Sequence, residues 1–229
     1  LQQLDPHYRI FFKDGDEVDI RPDMAHNRAV FESYEEGAGD ALDDYLRRSE
    51  TNYGVGMSEF VYTDRSRFRD YLSWDVAKNA RGLSLLGTMQ DHVERFFDHP
   101  KLQQIMQYTL VFLGGSPHNT PALYNLMSHV DFNLGVHYPE GGLGGVVDGI
   151  AELGGELGVE YRTDHEVTAI TGHERDFLVR AGERTIPADL VVSDADYAYT
   201  EQELLPPEHR AYDADYWDSR TYAPSAFLM

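Results

Sequence analysis

Three short runs carry residue types that bear on chemistry: Arg69-Asp70, Gly141-Gly142 and Ser193-Asp194-Ala195. A carboxylate such as Asp70 takes up a proton when apolar surroundings raise its pKa; on an exposed helix face it is only a solvated acid. Glycines such as Gly141 and Gly142 let a backbone approach a ligand closely, or simply make a turn. Ser193-Asp194-Ala195 closes an apolar run, where open α/β sheets bind ligands and where a helix cap is equally at home. Gly142-Leu143-Gly144-Gly145 comes nearest to the phosphate-binding G-x-G-x-x-G, but Val147 stands where the third glycine belongs, so the fingerprint is absent. The ten histidines form no H-E-x-x-H or H-x-H, and His92/His99 and His129/His137 are too far apart for ligand pairs, so no metal is expected. Without cysteine there is no disulfide, thiolate site or Cys nucleophile. Without G-x-S-x-G a hydrolase triad has no support.

The elements that must position these residues are read from periodicity. Tyr8–Phe12 and Glu17–Ile20 alternate about Asp14-Gly15 and predict a hairpin. Gly39-Asp40 predicts a helix start for the stripe Leu42, Tyr45, Leu46, and a second helix is expected over 65–77. Asp98-His99-Pro100 predicts the start of a helix carrying Leu102, Ile105, Met106, Leu110 and Leu113 and ended by Gly114-Gly115. Thr120-Pro121 predicts another, through Leu123, Leu126, Met127 and Val130. Near Tyr138 the pattern changes. Pro139–Gly142 reads as a turn, and Val146, Val147, Ile150, Leu153 and Leu157 as one apolar helix face. Strands are expected at 159–162, 166–171, 177–180 and 184–186, then a compact buried strand at 189–193. Beyond Thr200 the chain reads as helical or irregular, with a strand beginning at 223–229.

The chain has 229 residues, with 40 Asp+Glu against 19 Lys+Arg, a formal charge of −21. Nothing would neutralise phosphates, which excludes a nucleic-acid binder. Twenty-eight aromatic residues exclude a disordered acidic chain. The acid is therefore expected on a folded surface, as in a protein adapted to a high-salt cytoplasm, where repulsion is screened within about 3 Å at 1 M salt. No apolar stretch is long enough to span a membrane, and no signal peptide is visible. The Leu1 start and the apolar Ala226–Met229 end read as cuts, so a piece of a longer protein is expected.

Leu113-Gly114-Gly115-Ser116-Pro117, Pro121-Ala122-Leu123-Tyr124 and Gly135-Val136-His137-Tyr138-Pro139-Glu140-Gly141-Gly142 resemble the bacterial-type phytoene desaturases, FAD-dependent carotenoid desaturases. The resemblance continues through Glu152–Glu160, Val167 and Ser193–Asp196, and includes Leu4–Phe12 and Phe68–Leu72. It is specific over residues 99–200 and looser over 25–98. With the acidic composition it points to a haloarchaeal member.

The resemblance implies a mixed α+β (α/β) fold: part of a Rossmann-like FAD-binding domain, with a largely helical substrate region carrying a β-hairpin. Residues 1–135 fall to the substrate-binding and membrane-facing region, 136–200 to the FAD domain, and 201–229 return to the substrate region. It implies desaturation of a C40 polyene such as phytoene by a protein lying peripherally on the cytoplasmic face of the membrane. Val167 would present its backbone to the adenine, and is otherwise a core strand residue. Ser193, Asp194 and Ala195 would pass near FAD, and Gly141 and Gly142 would lie beside the flavin or the polyene tunnel. Asp70, with Arg69, would be the polar catalytic pair at a tunnel end, although Ser73 stands where many relatives carry an arginine. The helix Leu102–Leu113, with Tyr108 and Phe112, would line the tunnel, touch the membrane, or be ordinary core. The N-terminal dinucleotide fingerprint and the C-terminal FAD segment of the family are missing, so the chain alone is expected neither to bind FAD tightly nor to turn over. Rival readings are another flavin oxidoreductase of the amine oxidase superfamily, or a non-catalytic polyene-binding fragment or paralogue. The oligomeric state is not legible.

Overall fold

A hairpin opens the chain as expected: β2 (Tyr8–Phe11) pairs antiparallel with β3 (Glu17–Ile20) in the register Tyr8↔Ile20 to Phe11↔Glu17. Gly15 turns it with φ +88°, which a glycine adopts without the Cβ penalty. The computed structural model describes residues 1–62 and 87–222. These fall into two units, Leu1–Asp148 and Gly149–Met229. The helix expected at 65–77, with Arg69 and Asp70, and the strand expected at 223–229 lie outside the described residues.

In the first unit, helices Met24–Tyr34, Ala38–Val55, Met89–Val93 and Pro100–Gln107 surround one apolar core. Ile20, Phe31, Leu42, Tyr45, Leu102, Ile105, Met106 and Leu110 are all but fully buried in it. The helical stripes read from sequence therefore face inward. The 24–34 helix was not anticipated; Asp23 caps it by accepting from Ala25 N. Nor was the capping box of Thr88 and Asp91 that starts the 89–93 helix.

Three boundaries differ from expectation. The second helix starts at Ala38, with Gly37 in left-handed conformation as its cap, so Gly39-Asp40 lies inside the first turn. The 100–107 helix tightens into a 3-10 segment, Tyr108–Leu113, before Gly114, so Leu113 rotates out of the stripe and is exposed. After Pro121 the chain runs through a 3-10 turn, Ala122–Asn125, one α turn, and a π-helical segment, His129–Leu134; Thr120 caps no helix.

A chain of buried amides ties these elements together. Asn52 Nδ2 donates to Asn125 Oδ1 at 2.6 Å, and Asn125 Nδ2 lies 2.9 Å from His92 Nε2. The short strand β1 (Gln2–Gln3) pairs with β4 (His137–Tyr138), and Leu4 N donates to Val136 O at 2.9 Å.

The second unit holds the expected meander: β5 (Val167–His173), β6 (Asp176–Ala181) and β7 (Arg184–Ala188), antiparallel in sequence order. Glu201, almost fully buried, accepts from Ala211 N, Tyr212 N and Trp217 Nε1 and gathers Tyr197, Tyr212, Tyr216 and Trp217 about it.

Two expectations fail in this part of the chain. Residues 159–162 and 189–193 are not strands, and Leu190 and Val192 are exposed at 75% and 84%. The helix Gly144–Glu156 forms, but Val147, Ile150 and Leu153 on its apolar face are exposed. A buried parallel strand needs ladder partners on its edges and helices on its faces. No strand pairs with 189–193 among the described residues. No helix among the described residues is long and apolar enough to cross a membrane.

Candidate functional site

A cavity of about 500 Å³ lies within the first unit. Four pieces of chain meet around it. The β1–β4 pairing brings Gly135–His137 against the N-terminal segment that carries His7 and Tyr8. The 3-10 segment contributes Tyr108, Thr109 and Phe112, and the π-helical segment Val130 and Asp131. A π-helical turn of this kind recurs at functional sites because it re-aims side chains out of the regular helical ladder.

Asp131 is the carboxyl group that lines this cavity. Its carboxylate, 7% exposed, accepts from Tyr8 Oη at 2.8 Å on Oδ2 and from Tyr108 Oη at 3.2 Å on Oδ1. The two phenol rings lie 4.4 Å apart. Burial pushes the carboxyl up to about 6, against the two hydroxyl hydrogen bonds that favour its ionised form. Burial and the adjacent carboxylate push both phenols well above their usual value, so they stay protonated donors. His7, 4% exposed, is held down mainly by burial, with Asp5 opposing. The site is thus a neutral-to-acidic polar cluster against an apolar wall of Met127, Val130 and Val136.

A wider cleft of about 850 Å³ runs between the hairpin and Pro100-Lys101. Its lysine is committed: Lys101 Nζ sits 2.7 Å from both Asp14 and Asp16 and over the ring of Phe12. It offers no free chemistry. No group of His, Asp or Glu suited to a metal occurs among the described residues.

Tyr108 and Phe112, expected to line a tunnel, do line the cavity; Gly141, Gly142, Val167, Ser193, Asp194 and Ala195 do not, and Arg69 and Asp70 lie outside the described residues. Gly141 and Gly142 form a turn in the first unit with φ +83° and +88°; nothing lies within 4 Å of where a Cβ on Gly141 would be. Val167 opens β5, half-buried, beside a register irregularity between Val167 and Ala169. Ser193, Asp194 and Ala195 are exposed, with Ser193 Oγ 2.8 Å from Thr200 Oγ1. The helix cap nearby is Asp196, which accepts from Tyr199 N at 2.9 Å, and not Ser193 or Asp194. Asp131 and His7 were missed. The available signal was an acid set between the apolar Val130 and Phe132.

No protein-family model matches the chain. By its sequence the chain is similar, over its whole length, to carotenoid desaturases. It is 62% identical, over its full length, to a carotenoid 3,4-desaturase of Haloarcula japonica, covering 47% of that protein. It is 32% identical over 90% of its length to a 4,4'-diapolycopene oxygenase of a Methylomonas species, covering 42%. It is 28% identical over 91% to a zeta-carotene-forming phytoene desaturase of Myxococcus xanthus, covering 41%. The chain therefore spans about half the length of these curated relatives or slightly less.

Proposed function

We propose that this chain supplies the polyene-binding region and part of the flavin domain of an FAD-dependent oxidoreductase that desaturates a C40 carotenoid such as phytoene. The end-to-end match to a carotenoid 3,4-desaturase carries this reading. Bound FAD supplies the two-electron oxidation; the protein supplies the channel, the orientation and a place for the proton. Residues 1–135 belong to the substrate region, 136–200 to a Rossmann-like FAD domain, and 201–229 return toward the substrate. The open backbone at Gly141 and Gly142, the edge strand beginning at Val167, and exposed Ser193-Asp194-Ala195 are the residues here that would hold the cofactor. Their backbone or small side chains are accessible, which suits such a contact. The exposed apolar face of the Gly144–Glu156 helix and the run 189–193 would be covered by parts of the protein beyond this chain.

The cavity beside Phe112 would receive one end of the polyene. Val111, Phe112 and Leu113 stand exposed together on the 3-10 segment, at 71%, 71% and 42%. This apolar tip supports peripheral contact with the cytoplasmic face of the membrane, from which a water-insoluble hydrocarbon must be drawn.

The intact protein, purified in high salt and given phytoene in liposomes without oxygen, should bleach its flavin and yield a coloured polyene. Bound flavin that does not bleach would move the function to another oxidoreductase, and absence of flavin to a non-catalytic polyene binder. Asp70, next to Arg69, is the proposed proton acceptor; Asp70→Asn should slow flavin reduction by about tenfold or more with FAD content unchanged. An unchanged single-turnover rate would remove Asp70 from the mechanism. The −21 charge further predicts that folding needs salt. Circular dichroism from 0.1 to 3 M KCl checks this, and equal melting throughout would refute a halophilic surface.

A further inference from the structure

Asp131 is a buried carboxylate without a cation of the chain beside it. It is 7% exposed, no lysine or arginine lines its cavity, and only burial and the two phenols act on its ionisation. Buried charges are normally paired, because desolvating an ion costs more than neutral hydrogen bonds return. Tyr8 and Tyr108 hold both oxygens but bring no charge. His7, on the same wall, is kept from protonating mainly by its own burial. Above about pH 6 the cavity therefore carries one fixed negative charge with no lysine or arginine to balance it.

What surrounds this charge suits a cation with an apolar body. The Tyr8 and Tyr108 rings lie 4.4 Å apart, and Phe112 meets Tyr108 edge to face at 6.0 Å. All three rings line the cavity, and Met127, Val130 and Val136 form its apolar wall. Aromatic faces attract positive charge, and a desolvated carboxylate attracts it more strongly than one in water. A small hydrated ion would lose its water against the apolar wall. A charge spread over carbon atoms has little hydration to lose.

We propose that Asp131, held by Tyr8 and Tyr108, stabilises the positive charge that develops on the polyene as a hydride leaves it. One C–H bonding pair departs with its hydrogen to bound FAD, which is reduced, and the carbon left behind becomes positive. A proton then leaves the neighbouring carbon for the base, and the pair from that C–H bond closes the new double bond. Conjugation spreads the charge along the polyene, so a carboxylate several bonds from the reacting carbon still acts on it. A fixed anion favours this transition state over the uncharged ground state, so it changes rate and not polyene affinity. This rests on the polyene reading above, leaves the proton to Asp70, and gives Asp131 a purely electrostatic part.

The test uses the intact flavin-containing protein in high salt at about pH 8, loaded with lycopene, whose visible absorption shifts when it is displaced. The competitors are farnesyltrimethylammonium and its uncharged analogue with carbon in place of nitrogen. Displacement reports on the cavity and not on the acidic surface. The wild type should prefer the cation by about tenfold or more. Asp131→Asn keeps the outline of the side chain and should bring the ratio close to one with lycopene affinity unchanged. It should also slow single-turnover flavin reduction by about tenfold or more with FAD content unchanged. If the asparagine variant fails to fold, the wild-type ratio decides. Equal displacement by the two competitors in the wild type, a preference that survives Asp131→Asn, or an unchanged rate of flavin reduction overturns the proposal. Asp131 is then a structural acceptor for two tyrosines, and the polyene reading stands. Failure of lycopene to bind overturns both.

Discussion

Asp131→Asn should stabilise the protein at pH 7.5 by about 1–3 kcal/mol and leave it almost unchanged near pH 4. Burial raises this carboxyl from its ordinary 3.8 to about 6. That raise corresponds to about 3 kcal/mol of preference for the neutral form in the folded state. Below about pH 3 the carboxyl is protonated folded or unfolded and nothing is lost, and near pH 4 the loss is still small. As pH rises toward 6 the unfolded chain releases its proton and the folded one resists, so stability falls through this window and then levels off. Asparagine has the same outline, carries no charge, and keeps an oxygen for Tyr8. The gain falls short of the full amount because the amide must find a place for its two protons, with the Tyr108 hydroxyl as the acceptor at hand. Asp131→Ala should do the opposite, costing about 1–3 kcal/mol relative to Asn at every pH by leaving two phenol hydroxyls without an acceptor. Melting curves at pH 4, 5, 6 and 7.5 in constant high salt separate these outcomes. A difference between Asp and Asn that does not change with pH would mean that the carboxyl is not desolvated. The carboxylates that are lowered by ion pairs and hydrogen bonds, Asp14, Asp16 and Asp19 among them, titrate below this window and act in the reverse direction.

Asn125→Ala should cost about 3–4 kcal/mol. Asn125 has no exposed surface, and Asn52 and His92 are 1% and 3% exposed. Because Asn52 Nδ2 donates to Asn125 Oδ1, the Asn125 amide faces His92 with its Nδ2. His92 Nε2 is then the acceptor and the ring proton sits on Nδ1. This agrees with a histidine pushed down to about 4 by burial, with Arg95 and Arg48 adding to the effect. Alanine would strand one amide donor and one imidazole acceptor in a dry site at about 1–3 kcal/mol each, and open a small void. Denaturant unfolding monitored by circular dichroism measures the loss. Asn125→Asp is the informative partner: a carboxylate beside Nε2 should raise the His92 pKa several-fold in proton affinity, which NMR titration of the ring would read. A cost below about 1 kcal/mol for the alanine variant would mean that water already serves both groups.

The two networks divide the labour within the first unit. Asn52, Asn125 and His92 lock the helices Ala38–Val55 and Met89–Val93 to the turn that leads into the π-helical segment. Asp131, on that segment, then meets Tyr8 from the hairpin and Tyr108 from the 3-10 segment. A cavity built this way depends on backbone positions far apart in sequence, 123 residues in the case of Tyr8 and Asp131.

Local signals were sufficient wherever one element's own residues carry the information. Asp14-Gly15 between two alternating runs predicted the hairpin, and Leu102, Ile105 and Met106 at helical spacing predicted which face is buried. Gly182, with positive φ, sits in the turn between β6 and β7, whereas Gly172, also with positive φ, lies inside β5 opposite Phe177. The family, too, was legible from the glycine and proline blocks between Leu113 and Gly142. What sequence could not supply was pairing. The runs 159–162 and 189–193 are apolar enough for strands, but a strand exists only through a neighbour's N–H and C=O groups, and none pairs with 189–193 here. Leu113 fell out of its stripe because a change from 3.6 to 3 residues per turn shifts every later side chain. The cavity was invisible for the same reason: His7, Thr109 and Asp131 are ordinary residues in their own neighbourhoods. Only the tertiary structure, by pairing β1 with β4 and folding the 3-10 and π-helical segments against the hairpin, removes them from water and so makes their hydrogen bonds matter.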